Sequence, residues 1–305
     1  SWLSTATNWA SNVDNWTYTT TGSYGNGSYF LRITPDQQPN SGAYIGLANG
    51  GGSHDDRTVV DQSFLDLVRL GVKSASATDI TNTLAVTDAQ LGVNTSEGLI
   101  DHRYNFDGYG ETASGADYTG AGVGQPWPVL TGERGEYEVA AGNLAAAQAA
   151  LQTMQGAATT GGQISEQVWG ASTGTNGFAF GQADNSASPL MWAMAQFVRL
   201  AVDISAGADV DTPAVVCQQF NTCVTTIPPA KPGSPAGLST TGTTTTTASL
   251  SWTAPAVNSG AGAASSYQIL RAPVTGGVVG TYVQVGTTST TTFTDTGLTA
   301  STTYA

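Results

Sequence analysis

The chain contains six glutamates, and Glu166 stands in the setting most suited to chemistry. It lies in Gln163-Ile-Ser-Glu166-Gln167-Val-Trp169, between Gly-rich stretches and followed by an aromatic. Gln163 and Gln167 offer amide hydrogen bonds and Trp169 an aromatic wall, which is equipment for a polar, sugar-like ligand. Two upstream runs carry matching residue types: His102-Arg-Tyr-Asn-Phe-Asp-Gly-Tyr-Gly-Glu111 and Gly124-Gln-Pro-Trp-Pro-Val-Leu-Thr-Gly-Glu-Arg-Gly135. Arg103 can give paired donors to sugar hydroxyls and Asp107 can accept from them, while the two tyrosines, Tyr104 and Tyr109, can stack or hydrogen-bond. Trp127, fixed between Pro126 and Pro128, makes a rigid platform. Cleavage of a glycosidic bond needs one carboxylate to activate water and a second to protonate the leaving oxygen. Each residue also has a plainer reading. Glu166 is then a solvated loop glutamate, the 103–111 run a turn knitted by its own side chains, and Trp127 a plug under a loop. Glu133 and Glu136 would complement a helix dipole from the first turn of the helix that follows.

Composition narrows the partners. The chain has 305 residues, 40% hydrophobic and only 10% charged, with a formal charge of -13. That balance repels a phosphate backbone and an anionic membrane, so neither nucleic acid nor membrane is expected, whereas neutral glycans incur no such penalty. No apolar run reaches a membrane span. The opening Ser1-Trp-Leu-Ser-Thr lacks both an initiator Met and a signal peptide, and the chain is read as beginning inside a longer protein. Cys217 and Cys223, six positions apart, favour a small-loop disulfide and an oxidising compartment over zinc. The acids near His54 read as helix-start residues rather than metal ligands. No phosphate-binding loop, nucleophile elbow or metal-ligand signature is present, so no metal or cofactor is expected, with calcium left open.

The elements that would carry these residues follow from spacing. Apolar positions at i, i+3, i+4 and i+7 predict helices through Val60–Val68, Ile80–Leu91, Leu144–Met154 and Leu190–Ala201, each with a glycine near its end. Residues 1–16, with Trp2, Trp9 and Trp16, predict a fifth helix, and 17–33 a hairpin around Gly22 to Gly27. Residues 93–131 and 157–186 read as long functional loops. Near Asp211 the composition changes to a Pro-rich stretch and then to short alternating runs typical of a β-sandwich. The expected division is 1–212 for a helical domain, 213–232 for a Pro-rich linker holding the disulfide, and 233–305 for the sandwich.

Taken together, the runs Thr19-Thr-Thr-Gly22, Tyr29-Phe-Leu-Arg32, Asp61 to Gly71, His102 to Glu111, Gln125 to Gly135, Ile164 to Trp169 and Ser186 to Leu200 resemble glycoside hydrolase family 15, the glucoamylases and glucodextranases of the bacterial branch. The resemblance covers residues 1–206. It implies an all-α (α/α)6 barrel, of which this chain holds the C-terminal portion, and a secreted, inverting, exo-acting α-glucosidase acting as a monomer on α-glucan or oligosaccharide. It makes Glu166 the general base. Arg103 would hold the terminal sugar, with Tyr104, Asp107, Trp127, Glu133, Gln167 and Trp169 around the substrate. The family's general acid lies further upstream than the residues preceding Glu166, so it is expected outside this chain, which alone would be inactive. Residues 233–305 resemble a truncated fibronectin type III module, with Trp252 as its core Trp and Tyr304 as its corner Tyr. Other readings are a non-catalytic glycan-binding protein on a degenerate barrel and a glucodextranase of α-1,6 preference. A phosphorylase would use phosphate where Glu166 stands.

Overall fold

In the computed structural model, described here for residues 2–171, 176–223, 234–255, 264 and 266–305, the chain forms two compact units. The first spans Ser1–Thr226 and the second Ile227–Ala305. The α-helices of the first unit are α1 (Trp2–Thr17), α2 (Asp66–Arg69), α3 (Thr78–Leu91), α4 (Pro128–Ala140), α5 (Leu144–Gly156), α6 (Met191–Ala206) and α7 (Ala214–Phe220). Three antiparallel hairpins join them: β1 (Tyr18–Thr19) with β2 (Tyr29–Phe30), β3 (Tyr44–Leu47) with β4 (Gly52–Asp55), and β5 (Gly92–Asn94) with β6 (Leu99–Asp101). The long stretch before Glu166 is therefore partly regular. His102 bridges to Pro126, and Val168 to Ala183.

Helix α4 was not expected as a separate element. Glu133 and Glu136 sit in its middle, not in the first turn of the helix that follows. Pro128 at its first turn suits a helix start, because the missing N–H would have had no partner there. Inside α4, Gly135 lies so close to Leu200 and Ala150 that a Cβ there would meet Leu200 Cδ2 at 2.5 Å. The glycines that weaken its helical signal are thus the ones that let α5 and α6 pack against it. The resulting core holds Trp127, Val129, Leu130, Val139, Met154, Ile164 and Leu200. Each large apolar side chain buried there contributes roughly 1.5–3 kcal/mol. Asn143 caps α5 through Ala146 N, and Gly207 ends α6 in the left-handed conformation at φ 69°. Asp88, a carboxylate on the inner face of α3, is explained by its ion pair with Arg134 of α4.

Two expected elements differ. The stripe through Val60–Val68 does not make one helix: Ser63–Leu65 is a 3-10 turn and only α2 is α-helical. Asp61 instead bridges to Tyr104 and pairs with Arg32 at 2.6 Å, which holds that backbone extended. The segment expected as a linker from 213 opens with α7. Cys217 and Cys223 are disulfide-bonded, Cys217 lies against Gly71, and Thr222 donates to the Gly71 carbonyl. These contacts tie residues 213–223 to the first unit, while residues 224–233 lie outside the described ones. Among the described residues no helix is long and apolar enough to cross a membrane.

The second unit is all β, with strands β7 (Ala236–Thr243), β8 (Thr247–Thr253), β9 (Tyr267–Arg271), β10 (Pro273–Thr275), β11 (Val278–Val279), β12 (Val283–Thr288), β13 (Thr292–Thr296) and β14 (Thr303–Tyr304). They pair in the orders β13-β8-β7, β12-β9 and β11-β10-β14. Trp252 on β8 is buried and meets Tyr267 edge-on at 5.2 Å. The Tyr304 hydroxyl accepts from Thr299 N at 3.1 Å, closing a corner.

Candidate active site

Glu166 sits on the segment between α5 and α6, at the edge of an open cavity of about 340 Å³. Tyr109, Gly110, Glu111, Asp117, Tyr118, Gln167, Asn185, Ser186 and Ala187 complete the lining. The backbone around Glu166 is pinned. Glu166 N donates to Ala187 O at 2.9 Å, and Gln167 N to Ser186 Oγ at 2.8 Å. Ser165 Oγ donates to Gln167 O at 2.6 Å. The Tyr109 hydroxyl donates to Glu166 Oε2 at 3.2 Å. Burial, followed by the Glu166 charge, pushes the Tyr109 phenol up, so it remains a proton donor.

Tyr109 is placed by the run that precedes it. Gly108 is required because a Cβ there would meet Asn49 O at 1.9 Å. Gly122 N donates to Gly108 O, Val123 N to Glu111 O and Gly124 N to Asp107 O, all at 2.8 Å. Three strands of irregular backbone are thereby layered with no space between them for side chains. Asp107 anchors this layer. Its carboxylate, 2% exposed, accepts from Arg103 Nε at 2.8 Å and Nη2 at 3.0 Å, and from Tyr109 N at 3.0 Å. The Arg103 guanidinium lies about equally far from three rings: 5.2 Å from Tyr104, 5.1 Å from Tyr109 and 5.0 Å from Trp127.

Of the residues expected around a ligand, Glu166 and Gln167 line the cavity. Gln167 Nε2 donates to Tyr109 O at 3.1 Å. Arg103 stands one layer behind through Tyr109. Tyr104 is buried, with Arg32 3.9 Å above its ring. Asp107 is occupied by protein donors, so it orients Arg103 and does not serve as an open acceptor. Trp127 and Trp169 are 4% and 1% exposed. They are therefore supports rather than bare platforms, Trp127 under Tyr109 and against Trp192, Trp169 against Phe178. Glu133 lies apart from the cavity, facing Asp66, Arg69, Arg199 and Asp61. Burial first, then Asp66, pushes it up to about 7.

Glu111, Asp117, Tyr118, Asn185 and Ser186 were not given roles from sequence. Tyr109 and Glu111 stood in a run already recognised as polar and aromatic. The others lie 48 or more positions from Glu166 or beyond a Gly-rich loop, and only the layered backbone brings them together.

Residues 233–305 match the fibronectin type III domain family. The chain is 45% identical over 215 residues to a glucoamylase of Clostridium sp. (strain G0005), an alignment covering 70% of this chain and 29% of that protein. The solved structure of a bacterial glucoamylase complexed with acarbose superposes at a TM-score of 0.66 and 45% identity, covering 71% of this chain and 31% of that one. The chain is a glucoamylase homologue. Its first unit has the fold of a portion of the glucoamylase α/α barrel, and the segment that carries the fibronectin type III match follows it. The chain spans under a third of the length of these two glucoamylases.

Proposed function

We propose that the first unit supplies the general-base half of a secreted, monomeric, inverting exo-α-glucosidase of the glucoamylase (glucan 1,4-α-glucosidase) type. It would release glucose from the ends of α-glucans or oligosaccharides. The observation that carries this reading is the Glu166 carboxylate, held by Tyr109 at an open cavity in a chain 45% identical to a glucoamylase. Tyr109 engages Oε2, which leaves Oε1 to take a proton. In the proposed reaction, a water gives its proton to Glu166 as its oxygen bonds to the anomeric carbon. The glycosidic C–O bond breaks on the opposite face, and the leaving oxygen takes a proton from an acid supplied by polypeptide outside residues 1–305. Attack opposite the leaving group inverts the centre, so an α-linked substrate yields β-glucose. Arg103, aimed by Asp107, would donate from Nη1 to a hydroxyl of the terminal sugar, and Gln167 and Tyr118 would line the sugar's edge. Acarbose, bound in the superposed bacterial structure, is the ligand class expected here.

The test is proton NMR of the first glucose released from maltooligosaccharide by the enzyme that includes the acid-bearing segment. β-Glucose must appear before mutarotation. The α-anomer as first product contradicts the reading.

A further inference from the structure

Glu111 of the cavity wall and Asp184, one residue before the wall residues Asn185 to Ala187, form an acidic pair that the reaction above does not use. Glu111, 5% exposed, accepts from Asn185 N at 3.2 Å through Oε1. Asp184 accepts from Ser186 N at 2.8 Å through Oδ1. Among the described residues, the remaining oxygens, Glu111 Oε2 and Asp184 Oδ2, are both buried without a hydrogen-bond donor, and the bond from Asn185 N to Glu111 sets the Glu111 carboxyl beside Asp184. Two ionised carboxylates are disfavoured here, because each would bury one oxygen without a donor and repel the other. One proton between them resolves both problems.

We propose that Glu111 and Asp184 share a single proton and act as a positioning latch for Glu166, a role that rests on Glu166 being the base. The pair joins the 107–124 layer to residues 184–187. That short segment supplies the Ala187 carbonyl and Ser186 hydroxyl that hold Glu166 N and Gln167 N. Burial raises both groups. The Asp184 charge raises Glu111 further, as the Glu166 charge does Asp184. The other groups facing the pair are acidic or phenolic: Glu166 acts on Asp184, Asp117 lies 3.5 Å from the Asn185 amide, and Tyr109 and Tyr118 line the same wall. Loss of the shared proton at rising pH leaves two negative charges together and parts the two segments.

Amide hydrogen exchange of the 305-residue chain, from acidic to mildly alkaline pH, tests this without requiring turnover. After correction for intrinsic exchange, protection at Glu166 N and Gln167 N falls at least tenfold as the pair loses its proton. Glu111→Gln replaces the shared proton with a permanent amide donor and removes this fall, as does Asp184→Asn from the other side. Constant protection in the wild type, or the same fall in a folded variant, overturns the latch. So does saturable restoration of protection by calcium at alkaline pH, which would assign the pair to a cation. If neither variant folds, the wild-type profile still decides. Unchanged turnover in Glu166→Gln would refute the base assignment and leave this measurement standing.

Discussion

Among the described residues, Tyr109 donates the one side-chain hydrogen bond to the Glu166 carboxylate, and its ring also lies under the Arg103 guanidinium. Tyr109→Phe keeps the ring and removes the donor. A hydrogen bond to a charged group contributes about 1.5–3 kcal/mol, so the substitution should lower kcat by roughly ten- to a hundredfold, read by glucose release from maltooligosaccharide. At this scale the sequence was informative about residue types and less so about roles. Asp107 and Trp127 were singled out because their types suit sugar, yet one holds Arg103 and the other is buried beneath Tyr109. Whether a carboxylate faces ligand or holds an arginine depends on which oxygens are already engaged, and local spacing does not encode that. Glu111 illustrates the converse. Its partner Asp184 is 73 positions away (184 less 111), so nothing near it distinguishes it from a surface acid.

Between residue and molecule lie the elements that set these positions. The amphipathic helices α3, α5 and α6 were legible because their apolar spacing and terminal glycines agree. The α4 helix was not, because Gly132, Gly135 and three glutamates within it interrupt the apolar pattern; those glycines are explained only by the neighbours packed on them. The stripe through Val60–Val68 misled for the opposite reason. Its period is helical, but Asp61 is drawn into a bridge and an ion pair that local propensity cannot anticipate. Gly108 tests the layered backbone directly. Gly108→Ala drives a methyl into the Asn49 carbonyl, so the layer must shift, at a cost of about 1–3 kcal/mol. Chemical denaturation should record that loss, and ligand binding at the cavity should weaken with it. The Cys217–Cys223 bond closes a short loop that fastens α7 beside Gly71. Replacing both cysteines by serine should lower stability by on the order of 2 kcal/mol, as loop entropy predicts for so small a ring.

For the whole first unit, a buried acid among α2, α4 and α6 contributes to the response to pH. Glu136, 1% exposed, faces Arg199 Nε at 3.4 Å and Arg69 Nε at 3.9 Å. Burial outweighs both cations and pushes its carboxyl up from 4.5 to about 8. An unfolded glutamate ionises near the lower value, so the unfolded chain holds fewer protons across that window and stability falls as pH rises through it. Glu136→Gln should remove part of that fall. Its Tm should exceed the wild type by several degrees near pH 8, about 2–4 °C for each kcal/mol, and the difference should close below pH 4.5, where both side chains are neutral. The division into a helical unit and a β unit was visible in composition. The α7 helix in the stretch after 212 was not, because the Pro-rich composition around it hides a seven-residue helix.

Glu166 is the group proposed to activate water. Glu166→Gln preserves size and the Tyr109 contact while removing the proton acceptor, and loss of a general base typically costs about 10²–10⁴ in rate. Measured by glucose release in the enzyme bearing both carboxylates, kcat should fall by at least about a hundredfold while acarbose binds as before. A variant that turns over at the wild-type rate would contradict the assignment.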